Sequence, residues 1–419
     1  MDADVIVIGA GLAGLQAARR AEANGQSVIV LEAQESVGGR VRTERIDGFL
    51  CDRGFQLLNP AYPAVQESID CSELELQKFG VGVIVRKGAK SSTLAHPLRH
   101  PQYALQTLRS GFVPMLELAA FARWIGPEQI RPALGADDLG DESLQDSFDR
   151  VGLTGSFRRN VLDTFLAGVL AESSGASSAN YVRQLVRYFA TGTPGLPKRG
   201  MQALPEQMAR ALAGEVRVNT PVQSIKEVTG GVAVSTADAT LRARAVVVAV
   251  GPEQVSELTA LRTPPSNGLT TWWFRATGQP KTGPFLLIDA SRPGGGPAGP
   301  VWNTAVISEV APSYAPPGEH LVQATTLLDR PDGRASEADI RRDLARLYKT
   351  STKRWEVLVH HEIPHTLPAQ PPPLQDRGPI WTGTRILVTG DHRETGSIQG
   401  ALVSGNRAAK EVATLFARS

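Results

Sequence analysis

Two short stretches hold residue types at spacings that could do chemistry. One is Gly9-x-Gly11-x-x-Gly14, followed by an acid at Glu32. The other is His361-Glu362-x-x-His365. The first suits binding of a pyrophosphate. Gly9 permits a tight turn, Gly11 lets the backbone approach an anion, and Gly14 allows a helix to lie close to a strand. The helix that would open at Leu12 and Ala13 offers unpaired N–H groups to the phosphates. A carboxylate at Glu32, beside Ala33, can accept both hydroxyls of a ribose, so the pair of features describes a dinucleotide site. An acid at that point also argues against a 2′-phosphate.

The second stretch spells a zinc-protease signature, but that chemistry requires a helix to bring two imidazoles onto one metal ion. Pro364 stands inside the motif and drives Ile363 toward an extended conformation. The preceding run "WEVLVHH" alternates like a strand, and proline-rich sequence follows. A strand entering a loop is expected, with no metal site. His365 would then lie in a loop just past a strand, facing an organic substrate.

The elements that must position these groups are readable in part. Residues 4–8 read as a buried parallel strand, residues 12–25 as a helix ending at Gly25, and residues 27–33 as a second buried strand. Together they form one βαβ unit. Residues 200–214 read as an amphipathic helix, followed by strands at 216–219 and 243–250 and a hairpin turning at Gly230 and Gly231. A strand near 385–391 and a helix from about 399 close the chain. Residues 76–190 are more helical, with a polar loop at 135–143, and residues 264–379 are richer in proline and glycine. The expected fold class is α/β: a discontinuous Rossmann-like dinucleotide domain (1–75, 196–262, 381–419) with an interleaved α+β substrate domain (76–195, 263–380).

Six residues past Glu32 come Gly38, Gly39 and Arg40, a glycine pair and a cation suited to a phosphate. With the glycine motif and the ribose acid, this "GGRVRT" loop resembles the extended fingerprint of the FAD-binding amine oxidase, phytoene desaturase and protoporphyrinogen oxidase superfamily. The resemblance returns at "TPVQSI", at "ARAVVVAVGP" and most specifically at "VTGDHRETGSIQGALVSGNRAA". It implies FAD as cofactor. Val222 would present its backbone to adenine, and Gly390–Asp391 would hold the ribityl and pyrophosphate end. The helix starting at Ser397, Ile398 and Gln399 would aim its N–H groups at the flavin pyrimidine, where a helix N-terminus stabilises developing negative charge. Gly54 and Phe55 complete the cofactor candidates. There is no second glycine-rich fingerprint after "VVVAV", hence no dedicated NAD(P) site is expected. Neither Cys51 nor Cys71 lies near the C-terminal segment, so non-covalent FAD is expected.

The catalytic residues stay unassigned. Substrate-pocket candidates are Phe55, Gln56, Tyr62, Trp272, Trp273, Trp302, Asn303 and His365; for each aromatic the competing reading is a core side chain. His392 either bonds the cofactor or fills a turn. Amine oxidases present a tyrosine just before the C-terminal x-G step, where this chain has Glu394-Thr395-Gly396. The expected function is therefore removal of hydride from a C–H bond of a largely hydrophobic organic substrate, with oxygen, a quinone or a carrier as acceptor. Three alternatives stand beside it: a redox-neutral polyene isomerase, a flavin amine oxidase proper, and a non-catalytic prenyl or lipid carrier of the same fold.

Composition bounds the rest. The 419 residues carry a formal net charge of +2 and are 42% hydrophobic, with two cysteines. That balance shows no field for nucleic acid and no disulfide scaffold, and it fits a reducing compartment. The chain opens directly into "ADVIVIGAGLAG" without a basic leader, so a cytoplasmic location is expected. No apolar run is long enough to span a bilayer. The nearest, residues 112–126, reads as a half-buried cap helix because it lacks a rich basic face; peripheral membrane contact stays open.

Overall fold

The strand Ala3–Ile8 is buried at five of its six positions, which suits a run of β-branched residues covered on both faces. It pairs in parallel with Val28–Leu31 on one side and with Thr240–Val248 on the other. Glu215–Arg217 extends the sheet beyond Val28–Leu31, again in parallel. The far edge of Thr240–Val248 is shared. Its first half pairs antiparallel with Gly231–Ser235 of the hairpin, and its second half pairs parallel with Ile386–Val388. Segments from the beginning, middle and end of the chain thus build one seven-stranded sheet. The computed structural model describes residues 1–126, 140–378 and 380–418. The first five positions of the polar loop expected at 135–143 lie outside them.

A second seven-stranded sheet runs in the order Glu356–Pro368, Ser266–Ala276, His320–Leu327, Asn303–Val306, Leu286–Asp289, Gly82–Lys87, Lys90–Ala95. Only the pairing of Leu286–Asp289 with Gly82–Lys87 is parallel. The short pair Gln77–Lys78 with Gly195–Leu196 joins the two ends of the helical stretch between the sheets' segments. The architecture is mixed α/β.

Alternation along Ser266–Ala276 sorts its aromatics. Trp272, Phe274 and Ala276 face one apolar cluster with Ile340, Leu344 and Leu347 of the helix Glu337–Tyr348. Trp273 faces the opposite way, into the core shared with the first sheet, where its indole N–H donates to the Asp52 carbonyl at 3.0 Å.

The helix Leu12–Ala23 covers the first sheet and packs along the C-terminal helix Ile398–Ala417. They approach closely at Gly405, where an added Cβ would lie 2.4 Å from the Ala13 carbonyl oxygen. Close packing of these two helices fixes both N-termini relative to the sheet edge where the chemistry gathers. The helix read over 200–214 is confined to Ala203–Arg210, and the one within 112–126 to Met115–Ile125.

Candidate cofactor site

Gly9 takes φ +100°, and a Cβ there would sit 2.6 Å from the Ala249 oxygen; at Gly14 a Cβ would sit 2.0 Å from the Gly9 oxygen. Both are glycine because backbone fills the space. Gly11 differs: its φ is −72° and nothing lies within 4 Å of a Cβ placed on it. An L-residue fits the protein there, so the open space is what a ligand would use. Gly11 also caps the helix Leu12–Ala23 without a side-chain bond, and no acid stands in the first turn. The N–H groups of Leu12, Ala13 and Gly14 therefore have no intrahelical acceptor.

Three separate stretches meet around this helix end. Gly38 forms an isolated bridge with Gly11, and a Cβ on Gly39 would come 3.5 Å from Gly11 Cα. Glu32 is buried and accepts the N–H groups of Ala10 at 2.7 Å and Gln34 at 2.9 Å, while Ala33 beside it is exposed. A carboxylate has about four lone-pair sites, so two acceptances leave capacity for ribose hydroxyls. The Thr220 N–H donates to the Glu32 carbonyl at 2.8 Å, which brings the half-buried Val222 alongside. From the end of the chain, Asp391 reaches Arg40 with a 2.5 Å ion pair; the same guanidinium donates to the Thr366 carbonyl at 2.7 Å.

Gly390 takes φ +151°, and its N–H donates to Ser404 Oγ at 3.0 Å. Beside it, His392 has its Nε2 buried without a partner. Burial holds this imidazole neutral, lowering its pKa to about 4 against the opposing pull of Asp391. An orphaned buried nitrogen next to Asp391 and Arg40, and a helix end with space before it, both suit an extended anionic ligand.

The C-terminal helix begins where it was expected. Ser397 is its N-cap, accepting the Gly400 N–H at 3.0 Å, and the N–H groups of Ile398 and Gln399 have no intrahelical acceptor. The Gln399 side chain turns outward from this role, accepting the Ala64 N–H at 2.9 Å. Two residues that sequence reasoning missed hold the turn before the helix. The Tyr181 hydroxyl donates to the Gly396 carbonyl at 2.6 Å. Gln370 accepts the Gly396 N–H at 3.0 Å and donates to the Glu394 carbonyl at 2.7 Å. Both lie in the inserted segments, with no motif around them. Glu394 itself is buried and paired with Arg407.

Several expected pocket residues are packed among neighbouring side chains. Trp272 is stacked on His360 with ring centroids 3.8 Å apart, inside the second sheet's apolar cluster, so it is a core side chain. Trp273 is likewise core. Tyr62 is buried edge-on against Tyr188 at 4.9 Å. Asn303 is buried in its strand. His365 is not in a loop: the strand Glu356–Pro368 continues through Pro364 and carries it. Asn267 pairs with Leu367 and Leu269 with Ile363, so residues 364–366 bulge opposite Gly268. A bulge accommodates the proline's missing donor. His365 Nδ1 lies 2.5 Å from Ser266 Oγ, and His361 Nε2 lies 3.0 Å from Glu44 Oε1. At about 3.3 Å per extended residue the two rings are on the order of 10 Å apart, which no shared metal spans.

Phe55, Gln56 and Trp302 are half-buried. Phe55 meets Phe79 edge-on at 5.9 Å, and Gln56 donates to the Arg40 carbonyl at 2.8 Å. Trp302 packs with Ala167, Ala171, Leu269, Leu327 and Ile363, and a Cβ on Gly54 would lie 3.1 Å from Ile363 Cδ1. An apolar surface thus borders the Gly54–Phe55 corner.

Residues 12–413 match the family of flavin-containing amine oxidoreductases. The chain belongs to that family. FAD is accordingly its cofactor, as the converging glycine loops and helix ends suit. Among curated relatives, it is 26% identical over 269 residues to pseudooxynicotine dehydrogenase of a Pseudomonas species, covering 60% of this chain and 52% of that protein. It is 27% identical over 175 residues to the chloroplastic protoporphyrinogen oxidase of Nicotiana tabacum, covering 40% and 29%. The chain thus spans about half the length of the first and under a third of the second. An oxidoreductase of Methanosarcina mazei shares the fold along nearly the whole chain: TM-score 0.71, 18% identity, covering 97% of this chain and 99% of the other. Among the described residues, no helix is long and apolar enough to cross a membrane.

Proposed function

We propose that this flavoprotein removes hydride from a C–H bond of a largely hydrophobic organic molecule and passes the electrons to oxygen, a quinone or a carrier. FAD, when bound, supplies the two-electron acceptor. The chain's own residues bind and orient. The N-termini of the helices Leu12–Ala23 and Ile398–Ala417 offer N–H groups to negative charge at the two ends of the cofactor. Glu32 holds the ribose end, Asp391 and Arg40 hold the middle, and the apolar wall around Trp302 and Ile363 excludes water. Segments 1–75, 196–262 and 381–419 serve as the cofactor domain, and 76–195 with 263–380 as the substrate domain.

The observation that carries this reading is the state of Glu394. By the family resemblance, Glu394-Thr395-Gly396 occupies the place where amine oxidases present a tyrosine, and the Glu394 carboxylate is turned back onto Arg407 instead of being offered to a cationic amine. Burial raises its pKa, and Arg407 opposes that rise. The apolar surface beside Gly54 and Phe55 suits a substrate without charge.

Amine oxidation is the second reading. It is favoured by the family to which the chain belongs and by the name of its Pseudomonas relative. Anaerobic mixing separates the two. Bleaching of the flavin absorbance by polyenes or porphyrinogens, and not by primary or secondary amines, is the expected result. Bleaching by amines alone overturns the first reading in favour of the second.

A further inference from the structure

Eight large apolar side chains are exposed among the described residues, and five of them fall between positions 98 and 116. Leu98 and Leu116 are each 87% exposed, and Leu105, Leu108 and Met115 are all more than half exposed. Summed over the five side chains, the exposed apolar area is on the order of several hundred Å², the size of the largest patch of an ordinary monomer. The stretch is anchored from beneath. Thr107 Oγ1 donates to the Thr93 carbonyl at 3.3 Å and accepts the Ala95 N–H at 3.2 Å, fixing the helix Ala104–Arg109 along the edge strand Lys90–Ala95. Phe112 then inserts beside Val85 and Leu94, with the Lys87 ammonium 6.0 Å from its ring. Leu105 and Leu108, three apart on that helix, stand away from this anchorage.

The charge along this stretch is one-sided. Residues 82–126 contain six lysines and arginines against one acid, Glu117, whereas the whole chain carries +2. Glu117 is buried and spends its carboxylate on the N–H groups of Phe157 and Arg158. Of the cations, Lys87, Lys90, Arg99 and Arg109 are exposed. Reading residues 112–126 alone missed this basic face because it is supplied by the neighbouring hairpin and by the segment just before.

We propose that this surface docks the protein peripherally on an anionic lipid bilayer. Leu98, Leu105, Leu108, Met115 and Leu116 enter the interface, and the flanking lysines and arginines meet the headgroups. Charge selects this occupant over a second copy of the chain. A twofold dimer would set the same patch against itself, cation against cation, and the one acid among residues 82–126, Glu117, is buried and cannot offset the repulsion. The inference does not depend on which substrate the flavin oxidises.

The test uses the full-length, FAD-loaded protein in sedimentation with vesicles of phosphatidylcholine containing roughly a third phosphatidylglycerol, and with phosphatidylcholine alone. Binding is expected to the anionic vesicles only. Raising salt to about 0.5 M should weaken it, because charge attraction is screened within a few ångströms there. The variant L105S/L108S/M115S/L116S alters exposed positions only, so flavin content and melting temperature should match the parent. Its partitioning should fall by about tenfold or more. Failure of the parent to sediment with anionic vesicles overturns the proposal, as does undiminished binding by the variant. Concentration-dependent dimerisation that the variant abolishes, without lipid binding by the parent, would assign the patch to self-association instead.

Discussion

Arg40 and Asp391 are 351 positions apart and form an ion pair at 2.5 Å, the carboxylate 4% exposed and the guanidinium 33%. The glycine-pair loop of the first segment and the turn before the last helix are thereby locked together before any ligand enters. The arrangement predicts a specific loss in Arg40→Met. Removing the cation leaves a buried carboxylate uncompensated, which costs about 3–5 kcal/mol when one partner of such a pair is deleted. Arg40's partial exposure places the expected loss at the lower end. Chemical denaturation of the apoprotein measures it, and a change below about 1 kcal/mol would mean the pair does not organise the site.

The glycine motif makes a prediction that separates folding from binding. Gly14→Ala places a Cβ 2.0 Å from the Gly9 oxygen, so backbone must move and the apoprotein should lose several kcal/mol. Gly11→Ala meets no protein atom and keeps an ordinary φ. The apoprotein should stay within about 1 kcal/mol of the parent, the usual scale for changing a helix cap. FAD retention on gel filtration should nevertheless drop sharply, because the space beyond Gly11 is where backbone would approach the pyrophosphate. Full FAD retention by Gly11→Ala would remove the phosphates from this loop.

How far the sequence revealed these features follows from locality. The glycine loop, Glu32 and the helix start near Ser397 were legible because each is a short-range pattern whose chemistry and backbone needs coincide. The sheet's three-part assembly was legible from buried strands recurring at both ends and in the middle. Tyr181 and Gln370 were not, since each acts on a turn that only tertiary structure brings near. Trp272 and Trp273 are adjacent, so pleat alternation sends them to opposite faces, and composition alone could not choose between core and pocket. His365 was misplaced because proline was read as a strand end, whereas a bulge opposite Gly268 lets the strand continue.

His392 predicts a pH dependence. Its folded pKa is lowered to about 4 by burial, below the value near 6.5 of an unfolded chain, with Asp391, Arg393 and Arg40 as its charged neighbours. Between those values the unfolded state binds the proton and the folded state does not, so stability falls as pH drops from about 6.5 toward 4. The size is up to about 3 kcal/mol at 1.36 kcal/mol per unit. His392→Asn should flatten that part of the curve in urea titrations at a series of pH values. An unchanged slope would mean that the imidazole titrates normally.

The turn at residues 394–396 is held by two side chains distant in sequence, Tyr181 and Gln370, and their coupling is measurable. Tyr181→Phe leaves the Gly396 carbonyl without its donor, a loss of about 1 kcal/mol. Gln370→Leu leaves the Gly396 N–H and the Glu394 carbonyl unpaired, about 1–3 kcal/mol. Both bonds converge on Gly396, so once one is gone the turn can relax and the second loss costs less. The double variant should therefore fall short of the sum by at least about 0.5 kcal/mol. The rate of FAD release should follow the same non-additive pattern, since the turn sets the start of the helix Ile398–Ala417. Strict additivity in both measurements would mean that the two side chains stabilise their own segments and leave the helix N-terminus where it is.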